Sequence, residues 1–275
     1  MTDSSAVSRH PHVGPPRLLD SLLEPRALIE MALLPGSLPL LFGAPRGDGH
    51  PVLLLPGFLA NEKSLIALKL FLTRKGYDVR TWGLGRNVGF QRRHVKALPQ
   101  MIRHLHGRTG RKLSLVGWSL GGVFSMLGAH EATECVRSVI TLGSPLSMDH
   151  KGSQSPSVVK ALYRLISHPL GSAAHLMQPR AKELRERRRL PIPTSCLYSL
   201  SDGVVPPQEA TIDGDTAFHE NIRVPGSHMG LGFNGLVLAI IADRLAQPED
   251  AWRPFTPAGL LGRVYSRMMR AQSDA

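Results

Sequence analysis

Cysteine is scarce in this chain: Cys135 and Cys196 are the only two in 275 residues, far apart and each within an apolar strand candidate. That argues against a disulfide framework and for two buried, reduced thiols, and it leaves the redox compartment open. Long apolar runs are missing as well. The most apolar early stretch, residues 29–44, is broken by Pro35, Gly36 and Pro39, and no run approaches the ~20 residues of a spanning helix. Residues 1–16 are polar and rich in Pro, Ser and His, without the charged-then-apolar order of a signal peptide. The expectation is a cytoplasmic protein whose residues 1–17 form a disordered tail. There is no internal repeat, and no zinc-finger, recognition-helix or RNA-binding signature, so neither a nucleic-acid partner nor a metal is expected.

Acidic residues are absent from long stretches. Between Val79 and His130 nine Lys/Arg meet no Asp/Glu, and between Lys151 and Leu190 nine meet two, within a formal charge of +12. One reading is weak association with an anionic membrane surface or an acidic substrate. The plainer reading is a set of solvated basic helix faces.

What is present describes a globular α/β protein. Hydrophobic content of 42% and charged content of 20% are ordinary values, and 275 residues suffice for one large core. Strand-like segments occur at 51–55, 78–82, 112–117, 136–142, 194–200 and 219–224. Helical patterns lie between them at 62–75, 91–107, 120–131 and 230–246, with a further helical spacing over 18–34 that would cover the sheet or touch lipid. Asn61 has the chemistry of an N-cap for the first of these interleaved helices. Such alternation implies a mostly parallel central sheet with helices on both faces. Strands such as Val52–Leu55 and Val139–Leu142 are continuously apolar, as a doubly covered sheet requires. The alternation breaks between Gly143-Ser144-Pro145 and Pro193, where about 45 residues intervene. The reading is a single domain over 18–275 with a helical cap or lid inserted at about 147–192, since long insertions in compact domains are usually functional.

The chemistry-bearing segments fall at strand ends. Gly117-Trp118-Ser119-Leu120-Gly121 follows the run Lys112–Val116 and precedes a helix, the strand–turn–helix setting in which G-x-S-x-G exposes a serine nucleophile. A serine hydroxyl needs such geometry and a base. Bulkier residues than Gly117 and Gly121 would collide with the neighbouring helix and strand. Asp202 follows the run Thr194–Leu200 and opens Asp-Gly-Val-Val-Pro, so it is the candidate acid; Asp213 and Asp215 are rivals in a polar loop with no preceding strand. Asp-Gly is also common turn chemistry. Of twelve histidines, His228 alone sits between the last strand and the last long apolar helix, so it is the candidate base. The loop Pro56-Gly57-Phe58-Leu59-Ala60-Asn61 follows the first core strand. Gly57 permits close backbone approach, and the Phe58 and Leu120 N–H groups are the candidate oxyanion donors.

These residues resemble the α/β-hydrolase fold, and within it the lipase/esterase kind of serine hydrolase. The resemblance rests on Leu53-Leu54-Leu55-Pro56-Gly57-Phe58, Gly117–Gly122, Ser201-Asp202-Gly203-Val204-Val205-Pro206 and Gly226-Ser227-His228, and spans residues 48–247. It implies a Ser119–His228–Asp202 catalytic triad, an oxyanion hole in the loop of Gly57 and Phe58, no cofactor, and a small-molecule ester or lipid substrate. Pro56 stands where many lipases carry His, and no Gly-Gly-Gly run is present. Leu59, Trp118, Leu162, Ile166 and Met177 are candidates for an acyl pocket, with ordinary core packing as the rival role. Ester hydrolysis through an acyl-enzyme is the leading expectation. Acyl transfer by the same residues, peptidase action and non-catalytic binding are the alternatives.

Overall fold

A computed structural model describes residues 16, 18–146, 190–212 and 217–271. The tail over 1–17 (Pro16 apart), the rival acids Asp213 and Asp215, and most of the expected cap, residues 147–189 with Leu162, Ile166 and Met177, lie outside the described residues.

Six strands form one sheet: β1 (Pro51–Leu55), β2 (Asp78–Thr81), β3 (Leu113–Trp118), β4 (Val136–Leu142), β5 (Thr194–Tyr198) and β6 (His219–Arg223). Their order is β2-β1-β3-β4-β5-β6, and every pairing is parallel. Strand periodicity divides the apolar run of β1 between two cores. Val52 and Leu54 join one cluster, and Leu53 and Leu55 the other. All five residues of β1 are buried, which is why the strand lacks the polar alternation of a one-sided sheet.

The first core packs against α3 (Leu38–Gly43), α4 (Ile66–Arg74), α7 (Gly235–Leu245) and α8 (Gly259–Ala271). The second packs against α5 (Arg92–Thr109) and α6 (Leu120–Glu131). Both α6 and α7 are buried nearly all round, as their apolar composition requires. Among the described residues no single helix is long and apolar enough to cross a membrane. Cys135 and Cys196 are buried and unbridged, and burial pushes the Cys196 thiol up to about 12.

Nearly all element boundaries lie within two residues of the sequence reading. Three departures have physical causes. The helical spacing of 18–34 breaks into α1 (Leu18–Leu22), a 3₁₀ turn at Glu24–Arg26 and α2 (Ala27–Ala32), with Pro25 at the break and Pro35 in the next 3₁₀ turn. The segment's side chains hydrogen-bond to the loops after β5 and β6, at the sheet's C-terminal edge. Its outer side is apolar and exposed, with Leu22 76% and Leu28 67% accessible. Asn61 caps a 3₁₀ turn, Glu62–Leu65, that leads into α4, its side chain accepting the Lys63 N–H. The last helix begins at Gly235 rather than 230, because Asn234 caps it by accepting from Leu236 and Val237.

Parallel strands bring all their C-terminal ends to one edge. There the chain leaves β1 towards β2 and, later, leaves β3 towards β4, so the strand order reverses between β1 and β3. Ligand crevices in open α/β sheets form at such a switch point. The Pro56–Asn61 loop and Ser119 sit at that point.

Candidate active site

Ser119 lies between β3 and α6 with φ 54° and ψ −124°, one of two non-glycine residues with positive φ among those described. A residue held there costs about 1–3 kcal/mol and persists only if its surroundings enforce it. The packing does so at two glycines. A Cβ on Gly117 would stand 2.4 Å from the Gly121 carbonyl, and one on Gly121 would stand 2.2 Å from the Leu55 carbonyl oxygen. The first strand, the elbow and the start of α6 are thus closer than any side chain allows. The Ser119 N–H is bonded to the Leu142 carbonyl at 2.8 Å, tying the elbow to β4.

Asp202 lies beyond β5 and is 2% exposed. Its Oδ1 accepts the N–H groups of Val204 (2.8 Å) and Val205 (2.7 Å), which fixes the carboxylate and leaves Oδ2 directed at His228. His228, 4% exposed, lies beyond β6. Its Nδ1 is 2.7 Å from Asp202 Oδ2, and its Nε2 is 2.9 Å from Ser119 Oγ. Full burial works against the charged imidazolium, but the charge of the Asp202 carboxylate, its hydrogen bond and the charge of Glu24 outweigh it, so the His228 pKa lies above the usual 6.5.

The loop after β1 comes up against the serine. A Cβ on Gly57 would be 3.3 Å from Ser119 Cβ. The loop is held by Asn87, a fully buried residue that the sequence reading did not single out. Asn87 Nδ2 donates to the Pro56 carbonyl (2.8 Å), its own carbonyl accepts from Leu59 N–H (2.7 Å), and its N–H donates to Ala60 O (2.9 Å). These bonds hold Leu59 at φ 61°. Phe58 and Leu59 are half-buried, and Phe58 packs against the second core. Leu120 opens α6, so its N–H points out of the helix's positive end beside Ser119.

Trp118 is 5% exposed and belongs to the first core. Its indole N–H donates to the His228 carbonyl at 3.1 Å, and the two rings lie 6.3 Å apart. It braces the His228 loop from below. Gly143 is a further residue with no prior signal. It has φ 52°, and a Cβ there would be 2.8 Å from Asp202 Oδ2 and 3.1 Å from His228 Nδ1.

A second chain of the same three side-chain types lies at the opposite end of β3. His50 Nδ1 is 2.5 Å from Asp48 Oδ1, and its Nε2 is 2.9 Å from Ser114 Oγ. Among the described residues no cluster of three or more His, Cys, Asp or Glu is arranged to hold a metal ion.

No protein-family profile matches the chain. Over 139 residues it is 31% identical to Triacylglycerol lipase 2 of Arabidopsis thaliana, across 39% of this chain and 33% of that protein, so the match spans about a third of the curated relative. Three solved structures are similar in fold. Aspergillus fumigatus lipase B has a TM-score of 0.57 at 16% identity, covering 74% of this chain and 54% of that one. The mature form of Bacillus licheniformis lipase BlEst2 gives 0.54 at 17%, covering 74% and 95%. Paleococcus ferrophilus monoacylglycerol lipase gives 0.51 at 17%, covering 73% and 96%. Strand order, the elbow at the β1/β3 switch point and these likenesses agree: the chain has the α/β-hydrolase fold.

Proposed function

We propose that this protein is a serine hydrolase that cleaves carboxylic esters of apolar acyl groups through an acyl-enzyme on Ser119. The observation that carries the proposal is the continuous hydrogen-bonded chain Ser119 Oγ, His228 Nε2, His228 Nδ1, Asp202 Oδ2 ending at a strained elbow. Ser119 Oγ attacks the ester carbonyl and its proton passes to His228 Nε2. Asp202 holds the tautomer and stabilises the imidazolium. Negative charge develops on the carbonyl oxygen between the N–H groups of Leu120 and Phe58, where a preformed donor is worth about 10²–10³ in rate. The alcohol leaves with the proton held by His228. Water, deprotonated by the same imidazole, then attacks the acyl-enzyme and frees the acid.

The substrate class draws support from the names of the similar proteins, a triacylglycerol lipase and a monoacylglycerol lipase among them, and from the apolar Phe58-Leu59 pair beside the serine. The test is a p-nitrophenyl ester series from acetate to palmitate, run with the wild type and Ser119→Ala, together with a fluorophosphonate label. Labelling at Ser119 and turnover that peaks at an acyl chain longer than acetate are expected. Wild-type turnover in Ser119→Ala, or no label on the folded protein, would remove the proposal. Adding an alcohol acceptor separates the products: if the acyl group goes mainly to the alcohol at low acceptor concentration, the reaction is acyl transfer.

A further inference from the structure

Residues 18–37 cross the two loops that carry Asp202 and His228, and side chains along this strap bind both. Ser21 Oγ donates to the Gly203 carbonyl (2.6 Å), Arg26 Nη2 donates to the Ser201 carbonyl (2.5 Å), and Glu30 Oε1 accepts the Ser227 N–H (2.8 Å). Glu24 lies at the centre, 9% exposed. Its Oε1 accepts the N–H of Gly203 and that of His228, both at 2.9 Å, and its Oε2 accepts the N–H of Met229 at 2.9 Å. One carboxylate therefore joins the residue after the acid to the base itself and to the residue after the base. A buried carboxylate is tolerated only with such donors, and charge-assisted bonds to N–H groups are the stronger kind.

The loops are also shaped to receive the strap, which is an observation independent of the hydrogen bonds. A Cβ on Gly203 would meet the Asp20 backbone at 2.5 Å, and one on Gly230 would meet Glu30 Oε2 at 1.8 Å. Just beyond, a Cβ on Gly235 would meet the Ser37 side chain at 2.2 Å. At three places the sequence carries no side chain where the strap comes down.

We propose that Glu24 is a positioning residue for the Ser119–His228–Asp202 centre, setting the spacing of the acid and base loops and placing a second negative charge behind the imidazole. The inference rests on the reading of those three residues as the catalytic centre. Among the described residues, four side chains bond to His228: the Asp202 carboxylate at Nδ1, the Ser119 hydroxyl at Nε2, the Glu24 carboxylate at its N–H, and the Trp118 indole at its carbonyl. The nearest strap cation, Arg26, is 3.6 Å from Glu30 and so partly neutralised. Asp202 and Glu24 are the two charges that oppose the effect of burial on the imidazole.

The experiment compares Glu24→Gln and Glu24→Asp with the wild type. It reads kcat and KM for p-nitrophenyl butyrate across pH, the NMR titration of His228 (assigned by its loss in His228→Gln), and the melting temperature. In Glu24→Gln the amide must turn its NH₂ towards at least one N–H donor, so the loops part. A kcat about tenfold or more lower with KM little changed is expected, in line with the steep cost of small misplacements. The His228 titration and the pH midpoint of kcat/KM move to lower pH, and Glu24→Asp recovers part of both. Unchanged kcat and titration in Glu24→Gln would overturn the proposal, and so would a loss of kcat accompanied only by a lower melting temperature. If Glu24→Gln does not fold, Gly230→Ala, which displaces the strap at Glu30, is read in the same way, the same shift supporting the proposal and no shift overturning it. Wild-type turnover in Ser119→Ala would instead defeat the catalytic reading, and the His228 titration would still decide the role of Glu24.

Discussion

At the two ends of β3 the same three side-chain types are joined in the same order, with nearly the same distances. Under the proposed function only the C-terminal one reacts, and the two surroundings differ accordingly. Ser119 follows the strand, at a strained turn against the N-terminus of α6, and is half-buried. Ser114 lies within the strand about five residues, or roughly 17 Å, away. It is fully buried, and its hydroxyl is also bonded to Ser138 Oγ at 2.8 Å. The two histidines differ in the same sense. His228 is flanked by carboxylates that raise its pKa. For His50, burial lowers the pKa, and Arg137 and Arg111 lower it further against the opposing pull of Asp48. Asp48 itself is engaged by both arginines at 2.8 Å, whereas the second oxygen of Asp202 accepts the backbone N–H groups of Val204 and Val205. Serine, histidine and aspartate in line are therefore not a sufficient description of a hydrolase centre. The C-terminal group adds an accessible hydroxyl, nearby backbone donors and, among the described residues, a carboxylate with no competing cation.

Matched substitutions at the two ends sharpen this contrast. Ser119→Ala is expected to lower ester turnover by about 10⁵–10⁶, while Ser114→Ala leaves turnover within about twofold. The next largest effect belongs to the acids. Asp202→Asn is expected to cost about 10⁴ in kcat through the wrong imidazole tautomer, and Asp48→Asn is expected to spare kcat. Steady-state kinetics on one p-nitrophenyl ester reads all four variants, and a loss of turnover in Ser114→Ala or Asp48→Asn would break the distinction. Gly57→Ala has a smaller expected effect, about tenfold in kcat, because its new Cβ at 3.3 Å from Ser119 Cβ must move the loop by a few tenths of an ångström.

The pH responses should also separate. In the proposed mechanism His228 accepts the serine proton only when neutral, and it holds its own proton more tightly than usual. The rising limb of kcat/KM is therefore expected to have its midpoint above 6.5. His50 has the opposite sign. Its folded-state pKa is depressed, so unfolding takes up a proton. The stability that it contributes is present above about pH 6.5 and lost as pH falls below it. Melting temperatures from pH 8 to 5 read this, and Ser114→Ala should lower them by an amount equivalent to about 1–3 kcal/mol through the unpaired buried groups it leaves.

The parts legible in the sequence were those whose physics is local. The apolar continuity of β1, the glycines around Ser119 and the Asp-Gly turn at 202 each state their geometry within a few residues. The parallel sense of the sheet follows from strands that alternate with helices, whereas the strand order is set by tertiary packing. Glu24, Asn87 and Gly143 carried no such signal. Glu24 meets its partners at separations of about 180 and 205 residues, and nothing in its own neighbourhood distinguishes it from any acid in a surface helix. Asn87 lies among glycines and reads as a loop residue until its bonds to the Pro56–Ala60 stretch are seen. The helix α8 lies beyond the strand–helix alternation, yet Leu261, Val264 and Tyr265 fall at helical spacing and pack on the first core.

The conformation of Ser119 has a consequence for how this protein would fail. A backbone kept out of its preferred basin is a spring compressed by α6 above and β4 beneath, and the spring can release without the sheet coming apart. In rising urea, fluorophosphonate labelling should therefore vanish at a lower concentration than the far-ultraviolet circular dichroism signal. The catalyst would fall silent while the scaffold still stands.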